Sequence, residues 1–176
     1  LLSVLNLTKT SIGARLLRRW IGQPLLDLRQ IERRLDAVGW FAKESQRRWH
    51  TGQVLGRVSD IERLVSRVLG GRALPRELVA LAQSLGTLPD LICLLQGGQE
   101  INGVQWLADR LSVTGSCSEA VSFIDAAIDP EPGQLGEGKV IRKGFSAELD
   151  RLNQASRDAT AYIARLERQE RQRTGI

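Results

Sequence analysis

The sequence contains no methionine, one histidine and two cysteines among its 176 residues, and aromatic residues make up only 5% of it. Because methionine is missing even at position 1, we expect these residues to have been excised from a longer chain. No stretch approaches 18 uninterrupted apolar residues, so the sequence predicts no membrane span. Cys93 and Cys117 lie far apart without a CxxC pattern, which is typical of reduced thiols in a cytoplasmic protein.

The scarcity of reactive side chains excludes most kinds of active site. His50 follows Arg47, Arg48 and Trp49, and we expect it to be a solvated helix residue rather than a ligand or a base. The carboxylates mostly alternate with arginine along helix faces, so no nucleophile and no acid–base pair stands out. The sequence therefore predicts no catalytic, cofactor-binding or metal-binding residue in this chain, and it leaves any DNA-binding residues unknown.

Residues 133–140 nearly match the phosphate-binding pattern GxxxxGK[ST], in which the final hydroxyl binds Mg²⁺. Val140 occupies that hydroxyl position, and no apolar strand precedes the loop. Glu137 would also repel a phosphate group. We therefore expect the chain neither to bind nor to hydrolyse ATP.

The net charge of +5 is unevenly distributed along the sequence. Residues 1–50 carry a charge of +6 and residues 51–85 a charge of +2, whereas residues 86–138 carry −7 and residues 139–176 carry +4. Basic helix faces permit contact with nucleic acid but are commonly just solvated. We expect any DNA binding by this chain to be weak, independent of sequence and strongly dependent on salt.

Helix signals dominate the chain, and they predict an all-α, irregular multi-helix bundle with a long C-terminal helix. Only residues 139–142 are strand-like, too few to build a sheet. The residues expected to cap helix starts, some of them in S-x-x-E capping boxes, are Thr10, Asp27 with Gln30, Ser59 with Glu62, Ser116 with Glu119, and Ser146.

Two apolar stripes at helical spacing are expected to face the core. The first consists of Leu28, Ile31, Leu35, Val38 and Ala42. The second belongs to the C-terminal helix and consists of Leu149, Leu152, Ala155, Ala159, Ile163 and Leu166. Residues 167–173 contain no apolar member, so the last two turns should project from the bundle by roughly 10 Å.

Arginine pairs precede two of the tryptophans, a combination that can grip phosphates and stack on bases. Trp20 follows Arg18 and Arg19, but it belongs to an apolar stripe, which favours packing in the core. Trp49 follows a second such pair in a short helix. For Trp49, packing in the core and contact with nucleic acid both stay open.

Several blocks of sequence, taken in order, resemble the core domain of the MutS family. These blocks are LLSVLNLTKT at 1–10, RLLRRW at 15–20, QPL at 23–25, IERRLDAV at 31–38, DIER at 60–63, GRA at 71–73, GKVIR at 138–142, ELD at 148–150 and ERQRTGI at 170–176. Asn6 and Phe145 depart mildly from the family pattern, and residues 86–116 match weakly.

This resemblance implies that residues 1–176 are a core, or lever, segment of a DNA mismatch repair protein, ending where a DNA clamp would begin. The parent would bind mismatched double-stranded DNA, pair with a second MutS subunit, and hydrolyse ATP with Mg²⁺ in another domain. Its core helices would link the ATPase domain to the clamp. The clamp, mismatch-recognition and ATPase domains would lie outside this chain, which would not itself be an enzyme.

Two other classes of function stay open on the residues alone. The chain could be a self-standing basic helical module that binds nucleic acid, which predicts a steep dependence of affinity on salt. It could also be a helical protein–protein scaffold, which predicts self-association or an exposed apolar patch.

Overall fold

The structure is a computed structural model, and it describes residues 2–96, 104–113, 117–133 and 139–174. Helices account for most of these residues, which confirms the prediction of an all-α fold. In chain order the helices are α1 (Leu2–Leu5), α2 (Ser11–Gly22), α3 (Leu28–Lys43), α4 (Ser45–Leu55), α5 (Ile61–Leu69), α6 (Pro75–Gly86), α7 (Leu88–Gln96), α8 (Gln105–Ser112), α9 (Cys117–Ala127) and α10 (Ala147–Thr174).

Local capping explains where several helices begin. The Thr10 hydroxyl accepts a hydrogen bond from the Gly13 N–H at 3.0 Å, and the Asp27 carboxylate accepts one from the Arg29 N–H at 3.0 Å. Ser146 caps α10 in the same way. These three caps were predicted, because a cap needs only a side-chain acceptor next to free backbone N–H groups.

The capping box expected at Ser59 and Glu62 is wrong. Asp60 is the residue that caps α5, and its carboxylate accepts a hydrogen bond from the Arg63 N–H at 3.3 Å. The Glu62 side chain instead binds Arg15. The box expected at Ser116 and Glu119 includes a residue that lies outside the described part of the chain.

The bundle is built from the helices between the C-terminal half of α3 and α9. Helix α6 packs against α9 and α5, while α7 packs against α8 and α4, and α3 packs against α4. One core cluster joins α3 to α7 and α8. Its buried members are Ala37, Trp40, Leu95, Val104 and Ala108. The partly buried side chains that pack against this cluster are Phe41, Trp106, Leu107 and Leu111. The first two and the last helices extend from this bundle, and none of their described residues is buried.

Helices α6 and α7 together form the most apolar part of the described chain. By length and composition alone the run Pro75–Gln96 could cross a membrane, a test that core helices of soluble proteins also pass. Here Leu81 and Ala82 of α6 and Leu91 and Leu95 of α7 are buried within the bundle. These four side chains belong to the core of the bundle.

Four of the five residues in the apolar stripe predicted to bury α3 are exposed, and only Ile31 is half-buried. Leu28, Leu35 and Val38 are between 63% and 66% exposed, whereas Ala37 and Trp40 on another face of the helix enter the core. Helix α3 therefore carries two apolar faces, of which the bundle covers the shorter one.

The stripe predicted to anchor the C-terminal helix is also uncovered. Leu152 is 62% exposed, Ile163 is 65% exposed and Leu166 is 40% exposed. From Gln154 onward every described residue of α10 is exposed, so the projecting part is about 30 Å long at 1.5 Å per residue, not the 10 Å expected.

Candidate functional site

The long helix α10 and the turn from which it rises form the most distinctive feature of the described chain. Ile128, just after α9, pairs with Ile141 in an isolated antiparallel β-bridge. The Arg142 N–H donates to the Ala127 carbonyl at 2.8 Å, and the Asp129 N–H donates to the Val140 carbonyl at 3.0 Å. The only strand-like run of the sequence therefore ties the entry of α10 to the end of α9.

A tight turn then directs the chain into α10. Gly144 has a φ of +93°, which a residue with a Cβ rarely adopts, and its N–H donates to the Asp150 carboxylate at 2.8 Å. The Phe145 ring lies edge-on to Phe123 of α9, with 6.0 Å between the ring centroids. The sequence predicted the Ser146 cap but neither of these contacts, and the ring pair, whose members lie in different segments, has no local signal.

Beyond this base, α10 is a free-standing arm that carries both an apolar stripe and charge pairs. Tyr162 and Ile163 are 60% and 65% exposed. Arg171 pairs with Glu167 at 3.2 Å, and such exposed pairs stabilise a helix by only about 0.2–0.5 kcal/mol. An arm of this kind is held at its base and leaves an apolar face available to another segment.

A second notable contact joins Arg15 of α2 to two carboxylates at the start of α5. Its guanidinium contacts Asp60 through two hydrogen bonds of 2.7 Å and Glu62 through bonds of 2.6 and 3.1 Å. The hydrogen bonds to Asp60, then those to Glu62, raise the pKa of Arg15, and the pKa of Asp60 is held well below its usual range by Arg15. The sequence predicted Glu62 as a partner of Ser59 in a capping box and gave no indication of its contact with Arg15.

Replacing Arg15 with methionine should weaken the attachment of α2 to the bundle, because α2 buries no residue of its own and would keep mainly the contact of Trp20 with Arg34. We expect the amides of residues 11–22 to exchange with solvent about tenfold faster at neutral pH. Hydrogen exchange read by mass spectrometry measures this, with Arg18→Met on the same helix as the matched control. Equal exchange rates in the two variants would contradict the conclusion that Arg15 holds α2 to the bundle.

The pH dependence of this junction follows from the lowered pKa of Asp60. A carboxylate whose pKa is lowered by folding contributes stability that is present above its unfolded pKa of about 3.9 and is lost as the pH falls through the lowered value. The α2 helix of the unmodified chain should therefore detach only in strong acid, well below that unfolded pKa.

Arg47 and Arg48, two of the residues considered for nucleic-acid contact, are engaged within the bundle. Arg47 donates to the Leu94 carbonyl at 3.0 Å, and Arg48 donates to the Phe41 carbonyl at 2.8 Å. Trp49 is 61% exposed and meets His50 edge-on.

Trp20 is not in the core, contrary to the prediction. It is 38% exposed, and the guanidinium of Arg34 lies 3.5 Å from the ring centroid. One face of its ring is therefore occupied by a cation–π contact within the chain.

No group of three or more histidine, cysteine, aspartate or glutamate side chains that could hold a metal occurs in the described ranges 2–96, 104–113, 117–133 and 139–174. The near match to the phosphate-binding pattern at 133–140 lies mostly outside these ranges, because residues 134–138 are not described.

A model of the family described as MutS domain III matches residues 1–173. The chain belongs to this family. Its curated relatives include proteins named DNA mismatch repair protein MutS from Desulfitobacterium hafniense, 42% identical over 177 residues, and from Acetivibrio thermocellus, 40% identical over 178 residues. Both alignments cover 100% of this chain and 20% of the relative.

Membership of this family confirms the resemblance inferred from the sequence blocks. Domain III is a non-catalytic part of MutS, in agreement with the prediction that this segment is not itself an enzyme. The chain spans about a fifth of the length of the curated MutS relatives it matches.

Proposed function

We propose that residues 1–176 are the core, or lever, segment of a DNA mismatch repair protein and that α10 transmits movement between an ATPase domain and a DNA clamp. The observation that supports this role best is the 28-residue helix α10, which buries no residue and is fixed to the bundle only at its base. A stiff arm with one anchored end is the part that a lever requires.

A continuous route of contacts would carry movement through the domain. The β-bridge ties the base of α10 to the end of α9, α9 packs against α6, and α6 packs against α5. The Arg15 junction continues the route from α5 to α2. Rigid helices joined by packing and ion pairs are a physical means of coupling distant sites, and the test of such coupling is a measured change in function.

The proposal extends to the parent polypeptide, by which we mean the longer protein that carries this segment at the length of its MutS relatives. We propose that the parent binds mismatched double-stranded DNA, pairs with a second MutS subunit and acts in the cytoplasm. The clamp, the mismatch-recognition domain and an ATPase that uses ATP and Mg²⁺ would belong to its other parts. A self-standing nucleic-acid module has less support, because Arg47 and Arg48 are used for contacts within the chain.

A helix break in the middle of the arm tests this function. In the parent polypeptide, Ala161→Pro should remove one helical hydrogen bond and kink α10, at a local cost of about 3 kcal/mol. Because Ala161 is exposed, the bundle should stay folded and mismatch binding without ATP should remain. The ATP-induced release of the mispair should slow by at least about tenfold, since each 1.4 kcal/mol of lost coupling is a factor of about ten.

The matched control is Ala161→Leu, which alters the same exposed position but keeps a good helix former. It should respond to ATP like the unmodified protein. An ATP response that survives Ala161→Pro unchanged would contradict the lever role of α10.

A further inference from the structure

Helix α3 carries apolar residues on its outward face, and neither packing in the bundle nor the proposed lever role accounts for them. We define the outer stripe of α3 as Leu28, Leu35 and Val38, which are 66%, 63% and 65% exposed. Leu26, just before the helix, is 97% exposed. These residues recur at helical spacing on one side of the helix, where Ile31 between them is half-buried, whereas exposed apolar residues on a monomer are normally scattered singly.

We propose that the outer stripe is an internal docking surface, covered by a part of the parent polypeptide outside these 176 residues. The family membership that implies such a parent is independent of the lever role, so this inference does not rest on the proposed function. The relatives are about five times as long as this chain, because the aligned region is 20% of their length. A tethered occupant would be held at high effective concentration next to the stripe.

The charges beside the stripe indicate the chemistry of that occupant. Glu32 lies within one turn of both Leu28 and Leu35, and Asp36 lies one turn beyond Glu32 on the exposed side of α3. The exposed Arg29 lies two turns before Asp36 on the same flank, and Arg34 lies one turn before Val38 on the other flank, so charges of both signs border the stripe. Such a border favours an apolar helix or sheet face edged with both acidic and basic side chains, which would bury the leucines and pair with the border charges.

The rate at which a thiol in the stripe reacts measures whether the stripe is covered. Cys93 and Cys117 are first replaced by serine, and Val38→Cys is introduced into the 176-residue chain and into the parent polypeptide. The matched control is Ser122→Cys on α9, an exposed position where the substitution exchanges one oxygen for sulfur. Circular dichroism and the labelling rate of the control variant verify that the bundle stays folded.

We expect a maleimide reagent to label position 38 rapidly in the 176-residue chain and at least about tenfold more slowly in the parent, with a much smaller change at position 122. Equal rates at position 38 in the two lengths would overturn the proposal. Protection that appears in the 176-residue chain as its concentration rises would overturn it in favour of a second copy. Protection of the parent only after a mismatched DNA duplex is added would overturn it in favour of nucleic acid.

Discussion

Replacing Trp40 with alanine is expected to lower the free energy of unfolding of the bundle by about 3–5 kcal/mol. Trp40 is 5% exposed and packs with Ala37, Leu95 and Val104 in the cluster that joins α3 to α7 and α8. Its ring also meets Phe41 edge-on, with 4.9 Å between the ring centroids. The truncation would remove apolar contacts from three helices and leave a cavity that the rigid helix packing can close only in part.

The matched control is Trp49→Ala, the same change at a tryptophan that is 61% exposed. It should alter the free energy of unfolding by no more than about 0.5 kcal/mol. Urea unfolding followed by far-UV circular dichroism gives the free energy of unfolding of the two variants. The exposed helix α10 contributes a non-cooperative background to this signal. Similar losses of stability in both variants would contradict the placement of Trp40 in the core.

Local signals in the sequence predicted the fold class and the starts of α2, α3 and α10. Thr10, Asp27 and Ser146 act as caps because capping depends on the few residues next to it. The prediction that Ser59 caps α5 was wrong by one residue. Asp60 offers an equally good acceptor, and its carboxylate also accepts hydrogen bonds from Arg15. The sequence offered no basis for that ion pair, whose partners are 45 residues apart.

The two apolar stripes show where periodicity stops being informative. Spacing of three and four residues indicates that a helix has an apolar face, but it does not say what covers that face. In α3 the longer stripe points outward, while Ala37 and Trp40 pack inward. In α10 the stripe has no described partner in the bundle, because the bundle contacts only the base of the helix.

The candidate site was predicted in outline. A charged, projecting end of the C-terminal helix was expected, and the arm is about three times longer than expected. The strand-like run at 139–142 was predicted, but its bridge to Ile128 was not, since the two residues come from different segments. The turn at Gly144, closed by Asp150 six residues later, was also missed.

Hydrogen exchange along α10 is the most direct test of the claim that this helix is an arm supported only at its base. A helix of about 20 residues without tertiary contacts is marginal in water, and pairs such as Glu167 with Arg171 add little. In the 176-residue chain, amides of residues 155–174 should therefore exchange at least about 100-fold faster than those in the middle of α6 and α9.

In the parent polypeptide, residues 155–166 should become protected, because the exposed stripe through Ile163 and Leu166 would then meet its partner segment. Slow exchange through Leu166 in the 176-residue chain would mean that α10 packs on its own bundle. Fast exchange in both lengths would mean that nothing stiffens the arm. Either result would contradict the lever account, whereas fast exchange in the chain and protection in the parent is the result that it predicts.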